Sequence, residues 1–118
     1  MAFLQMKLTK IRELLDAEIL CGEDLMETEI LSACATDFMS DALAYVKDQG
    51  VMLTGMVNPQ VIRTAEMLDM RCIVFVRGKT PGPDMLALAQ ERGIVVLRSE
   101  LRMFIACGLL YSNGLQGE

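Results

Sequence analysis

Apolar positions recur along this chain in two rhythms, one helical and one of short uninterrupted runs. Leu8, Ile11, Leu14 and Leu15 share one helical face and predict a helix over 7–16, capped at Thr9 or a neighbour. Residues 18–21 and 29–35 read as strands, the first closed by Gly22, with the polar stretch 23–29 as the loop between them. Asp37 stands as N-cap before Met39, Ala42, Leu43 and Val46, so a helix is expected there, ended by Gly50. Residues 51–54 form a buried strand. Asn58 then caps a helix with Pro59 in its first turn and Val61, Ile62, Ala65 and Leu68 on its buried side. The run 72–76 is apolar throughout, as a strand covered on both faces must be. A turn over 77–83 leads to a helix over 84–92 with Leu88 and Ala89 inward, and Gly93 stops it. The last strand is 94–97, and Ser99 caps a final helix carrying Leu101, Phe104, Ile105 and Leu109.

Short strands alternating with amphipathic segments are the signature of an α/β fold in three layers, a mostly parallel central sheet flanked by helices. From residue 51 onward each strand is expected to lie parallel to the one before it, with the first two strands placed differently. The length of 118 residues fits a single domain over 1–118, with a polar tail from about residue 112 expected to fray.

Composition narrows the function. Hydrophobic residues make up 53% of the chain, yet no uncharged apolar run approaches the ~18 residues that span a bilayer, so no membrane association is expected. Residues 1–8 carry one Lys and a short apolar patch without a small-residue cleavage site, which predicts a cytoplasmic address. The net charge of −5 disfavours nucleic acid as a partner. Cys21, Cys34, Cys72 and Cys107 are scattered and mostly lie within apolar runs, the pattern of free thiols. With no His in the chain, neither a zinc site nor a His-assisted nucleophile is expected, and no metal or cofactor is assigned. Ten Met against six aromatic residues suggest an adaptable core and a self-association surface, hence a homodimer.

Candidate chemistry collects where the strands end. Gly78-Lys79-Thr80 resembles the close of a phosphate loop, but the first Gly of that pattern is replaced by Ile73 in mid-strand, and no dinucleotide fingerprint follows any strand. In a parallel sheet, ligands bind beyond the carboxyl ends of the strands. That rim gathers Thr36 and Asp37, then Thr54, Gly55 and Asn58, then Arg77, Gly78 and Lys79, then Arg98 and Ser99. Its cations favour a small anion or a nucleotide. Asp37 and Asp41 stand one helical turn apart, as a pair that shares a proton or binds Mg²⁺ would, although capping and solvation account for them more simply.

The order Leu20-Cys21-Gly22-Glu23, Thr36-Asp37-Phe38-Met39-Ser40-Asp41, Val51-Met52-Leu53-Thr54 with Asn58-Pro59, and Gly93-Ile94-Val95-Val96-Leu97 resembles the DRTGG domain family over almost the whole chain. Such domains are similar to the N-terminal domain of HPr kinase/phosphorylase and accompany CBS-domain pyrophosphatases and phosphotransacetylases. The resemblance implies an accessory, dimerising and regulatory part without chemistry of its own. Free-standing members are associated with iron-only hydrogenase systems, which implies a redox enzyme as one partner context. The signature Asp-Arg-Thr-Gly-Gly is degenerate here. Its place is held by residues 27–33, where only acidic Glu27 and small Ser32 and Ala33 match, so the roles of its Arg and glycines do not transfer.

Together these readings favour a non-catalytic, ligand-sensing regulatory domain. The alternative is an interaction module docking on a larger metabolic or redox enzyme. A third reading, a small phosphoryl- or acyl-transfer enzyme, would use Asp37 or Asp41 with Lys79.

Overall fold

The β-branched runs do what their pattern requires: they stack side by side, with successive side chains pointing to opposite faces. The computed structural model describes residues 5–44 and 50–117. In chain order the elements are β1 (Met6–Lys7), α1 (Leu8–Leu15), β2 (Glu18–Cys21), a 3-10 turn (Glu23–Leu25), β3 (Glu29–Ile30), β4 (Ser32–Ala35) and α2 (Met39–Ala42). They continue with β5 (Gly50–Thr54), α3 (Pro59–Met67), β6 (Cys72–Phe75), α4 (Pro83–Glu91), β7 (Val95–Arg98), α5 (Met103–Ser112) and β8 (Gln116–Gly117).

The main sheet has the order β2-β7-β6-β5-β4-β8. Neighbouring pairs from β7 through to β8 are parallel, whereas β2 runs antiparallel at one edge. Alternation assigns the layers. Val51, Leu53, Cys72, Val74, Val95 and Leu97 join the buried residues of α1 and α5 in one cluster. Met52, Ile73, Phe75 and Val96 join those of α2, α3 and α4 in the other. The expected α/β architecture, a mostly parallel sheet between helices, is therefore the observed one. Gly22 marks a close approach: its φ is +88° and an added Cβ would lie 2.9 Å from the Val95 Cα, so the turn after β2 accepts only glycine.

Several expected boundaries move. The strand read over 29–35 is two strands, because β3 pairs with β1 (Met6 with Ile30, Lys7 with Glu29) and only from Ser32 does the chain enter the main sheet. The switch buries Ile30 completely in the cluster beneath α1. Asp37 does not cap α2. The capping position falls to Phe38, which makes no side-chain bond there, and Gly50 opens β5 instead of closing a helix. Val46, expected on that helix, lies outside the described residues.

Asn58 does cap α3, its Oδ1 accepting from Gln60 N–H at 2.8 Å, with Pro59 in the first turn. On α4, Ala89 is buried, Leu88 is partly buried and Met85 joins them; Gly93 (φ +70°) follows its end. The largest correction concerns α5. Ser99 does not cap it, since the helix begins at Met103 with Arg102 in the capping position, and its buried side is Ala106 and Leu110. Phe104 and Ile105, expected inward, point to solvent. Residues 103–112 carry no charged side chain, so periodicity offered no polar face to orient the helix. Nor is the tail frayed through residue 117: Leu115 is buried and Gln116–Gly117 pairs with β4.

Candidate functional site

The parallel registers bring the carboxyl ends of four strands level. Ala35 stands beside Leu53, Thr54 beside Phe75, and Phe75 beside Arg98. The residues just beyond those ends therefore share one rim, as the sequence pattern implies.

At its centre lies a polar cluster. Thr36 N–H donates to Leu53 C=O (3.0 Å), which prolongs the β4 pairing by one residue and delivers Asp37 above the end of β5. Asp37 Oδ1 accepts from Gly55 N–H at 2.7 Å and from the Thr54 hydroxyl at 3.3 Å. Its other oxygen faces Arg77 Nη2 at 3.5 Å. Thr54 is fully buried, and its hydroxyl oxygen also accepts from Met56 N–H (3.1 Å). The Arg77 guanidinium lies across Gly55, in the space where a Cβ would fall. Arg77 itself is left-handed, with φ +58°, a conformation few non-glycine residues adopt. Two backbone bonds hold the turn: Arg77 N–H to Leu101 C=O and Gly78 N–H to Ser99 C=O, each 2.8 Å.

The remaining candidates divide. Arg98 donates through Nε to Thr80 Oγ1 (2.9 Å) and Gly78 C=O (3.2 Å), and its Nη atoms meet Glu100 (2.7 Å) and Glu18 (3.6 Å). It is thus occupied in closing the turn. Gly78, at φ +68°, sits against the Glu100 carboxylate. Ser99 is buried away from the rim, its hydroxyl donating to Leu15 C=O (2.7 Å) and accepting from Leu101 N–H (3.2 Å), so it ties the end of α1 to the segment before α5. Asn58 and Lys79 are exposed, and among the described residues no carboxylate lies within ion-pair distance of Lys79. Of the rim's cations, two already face carboxylates and one does not. Asp41 lies exposed on α2, while the Asp37 carboxylate is committed to Thr54, Gly55 and Arg77.

The structure brings together Asp37, Thr54, Gly55 and Arg77; it leaves Asn58 and Lys79 at the periphery and removes Ser99. Sequence reading missed Glu100 and met Thr80 only as the end of the phosphate-loop-like stretch; both complete the Arg98 network, and their signal for that role is position beside the strand end. It also missed a concave region elsewhere on the fold. Between α5 and the β4–β8 edge lies an apolar groove of about 360 Å³, lined by Ala33, Cys34, Leu53, Phe104, Cys107 and Tyr111 among others. The thiols do not suggest nucleophiles. Burial pushes Cys72 far above the ordinary thiol range, and raises Cys21 and Cys107 as well. Among the described residues no group of three or more His, Cys, Asp or Glu is placed to hold a metal ion. No helix among them is long and apolar enough to cross a membrane.

No family model matches the chain, and no curated protein does. Four solved chains match. One is the crystal structure of the CBS and DRTGG domains of the regulatory region of Clostridium perfringens pyrophosphatase, complexed with the activator diadenosine tetraphosphate. It superposes with a TM-score of 0.73 over 88% of this chain. The fold is related. At 17% identity the likeness is one of fold, short of membership in the DRTGG family, and the chain spans 45% of that regulatory region. The neighbour is a regulatory region, not a catalytic one.

Proposed function

We propose that this chain is a non-catalytic regulatory domain that senses a small anion, such as the phosphate of a nucleotide, at the carboxyl rim of its sheet and acts as a homodimer in the cytoplasm. The observation that carries the reading is the convergence of the Thr54 hydroxyl, the Gly55 N–H and the Arg77 guanidinium on one point of that rim. A hydroxyl, a backbone amide and a forked cation are the donor types that hold carboxylates and phosphates. Lys79, exposed at the same rim and without a carboxylate partner among the described residues, would reach the outer part of such a ligand. The fold it shares with a regulatory region crystallised with a nucleotide activator supports the same reading. The DRTGG resemblance supports it too. No cofactor is required.

A thermal-shift screen against nucleotides, acyl phosphates and inorganic anions tests this directly. A ligand present at a hundredfold its dissociation constant adds ~2.7 kcal/mol to stability. The expected result is a shift that Arg77→Ala abolishes and Lys79→Ala weakens. No shift with any of them would discard the sensing role.

A second reading rests on its own observation. Helix α5 is apolar all round, and Phe104 (85% exposed), Tyr111 (67%) and Ile105 (49%) face outward beside the groove. Such a surface suits docking against a sister copy or a larger metabolic or redox enzyme.

A further inference from the structure

The donors that mark the rim as an anion site already hold an anion, and it belongs to the chain. We infer that Asp37 is an internal occupant of this site, and that a ligand's carboxylate or phosphoryl group binds by displacing it. This inference rests on the sensing role proposed above and adds how the site is gated.

Three features separate this cluster from an ordinary surface ion pair. The first is the division of labour around the carboxylate: Oδ1 takes the amide and the hydroxyl, while Oδ2 faces the guanidinium. The second is the orientation of the buried Thr54 hydroxyl. Its oxygen accepts from Met56 N–H, so its proton remains available to the carboxylate. The third is the backbone itself. Arg77 adopts a left-handed conformation pinned by two 2.8 Å bonds, and Gly55 leaves uncovered the space its guanidinium fills. All three donors belong to the ends of central strands β5 and β6, so they persist whether or not Asp37 is present.

The acceptor, by contrast, is lightly held. It precedes a helix of four residues whose capping residue, Phe38, offers no side-chain bond to the helix and is tethered only locally, its N–H donating to Thr36 Oγ1 (3.0 Å). Of the described residues 38–44, Met39 and Ala42 are buried, while Phe38 and Leu43 are exposed. An incoming carboxylate would replace one negative charge by another beside Arg77, and a phosphoryl group, with a charge of about −1.5 to −2 at pH 7, would bring somewhat more. The freed segment, which includes the exposed Phe38 and the buried Met39, would be the output of the switch. If the unoccupied state is populated at about 10%, internal competition weakens the apparent affinity about tenfold.

The test uses the full chain, with inorganic phosphate and, separately, acetate as probes at matched ionic strength. Binding is read by thermal unfolding and by the chemical shift of the Gly55 amide. Asp37→Ala is expected to respond to phosphate at a concentration about tenfold below that needed by the parent chain. The double variant Asp37→Ala/Arg77→Ala is expected to lose the response. A response to phosphate alone assigns a phosphoryl ligand, and one to acetate alone a carboxylate. Should Asp37→Ala not fold, Asp37→Asn removes the charge while keeping a side chain of the same shape, and the same comparison is made with it. Equal responses in parent and variant, or a response that survives in the double variant, would overturn the inference. A nucleotide shift in the parent that Asp37→Ala does not enhance leaves sensing standing and removes the internal competitor. Phosphate binding gained by Asp37→Ala, with no nucleotide shift in the parent, keeps the competitor and removes nucleotide sensing. No anion response in any variant removes both.

Discussion

The carboxyl rim and the α5 groove lie on one small fold and solve opposite problems. At the rim, polar groups are satisfied from within: Thr54 is buried with its hydroxyl bonded, and Arg77 and Arg98 face carboxylates of the same chain. In the groove, apolar groups remain open to solvent, with Phe104 and Tyr111 at its edge and Cys107 in its wall. A buried polar group left without a partner costs on the order of 1–3 kcal/mol, so a sheet end has to close on itself unless a ligand is always present. An exposed aromatic ring carries no comparable penalty, and it can wait for a partner. The rim is thus suited to a signal that comes and goes, and the groove to a contact that lasts.

The sharpest way to break this comparison is to cut α5 on its two sides. Leu110 is buried in the cluster formed with α1 and the sheet. Leu110→Ala should cost about 2–5 kcal/mol in urea unfolding, the range for deleting a buried aliphatic side chain. If the loss were as small as that of a surface substitution, α5 would not be anchored where the structure places it, and the groove would have no fixed wall.

The next effect separates structure from binding at the rim. Ser99→Ala removes the hydroxyl that bridges Leu15 and Leu101, leaving a buried carbonyl and an amide to find other partners. The expected cost is about 1–3 kcal/mol, with no change in the concentration of phosphate that stabilises the chain. A weakened phosphate response in Ser99→Ala would return Ser99 to the site from which its geometry removes it.

That test also marks how much of the molecule is legible in the sequence. The central strands are legible because residues 72–76 and 94–97 are apolar on both faces, and the α3 start because Asn58-Pro59 has a local mechanism. The existence of the rim follows from topology alone. The roles of its members do not: a Ser or Asp between a strand and a helix reads as a cap whether its side chain turns toward the helix or back to a neighbouring strand. Asp37 turns to β5 and Ser99 to α1, and both decisions are made by residues far along the chain. Helix α5 is illegible for a different reason. Its side chains are apolar on every face, so only its packing against α1 and the sheet selects Ala106 and Leu110 as the inner side. β8 is missed because a Gln and a Gly carry no strand pattern, and its pairing depends on Leu115 entering the core.

The smallest effect on stability has the most to say about the groove. Phe104→Ser/Tyr111→Ser replaces two outward rings, and substitutions at such positions each stay within ~0.5 kcal/mol. If α5 is the self-association surface, light scattering should show the parent as a dimer and the double variant as a monomer. Cys107 supplies an internal reporter, since it lines the groove and is only partly buried, whereas Cys72 is enclosed within the sheet. Burial raises the Cys107 thiol, so its alkylation near neutral pH is slow and sensitive to further covering. In the parent, the rate at Cys107 should fall as chain concentration rises through the dimerisation range, while in the double variant it should stay constant. A parent that remains monomeric, with a Cys107 rate independent of its own concentration but slowed by an added partner enzyme, would assign the same groove to a different occupant. In either case the contrast with the rim would hold, because the groove would be closed by another chain and the rim by its own Asp37.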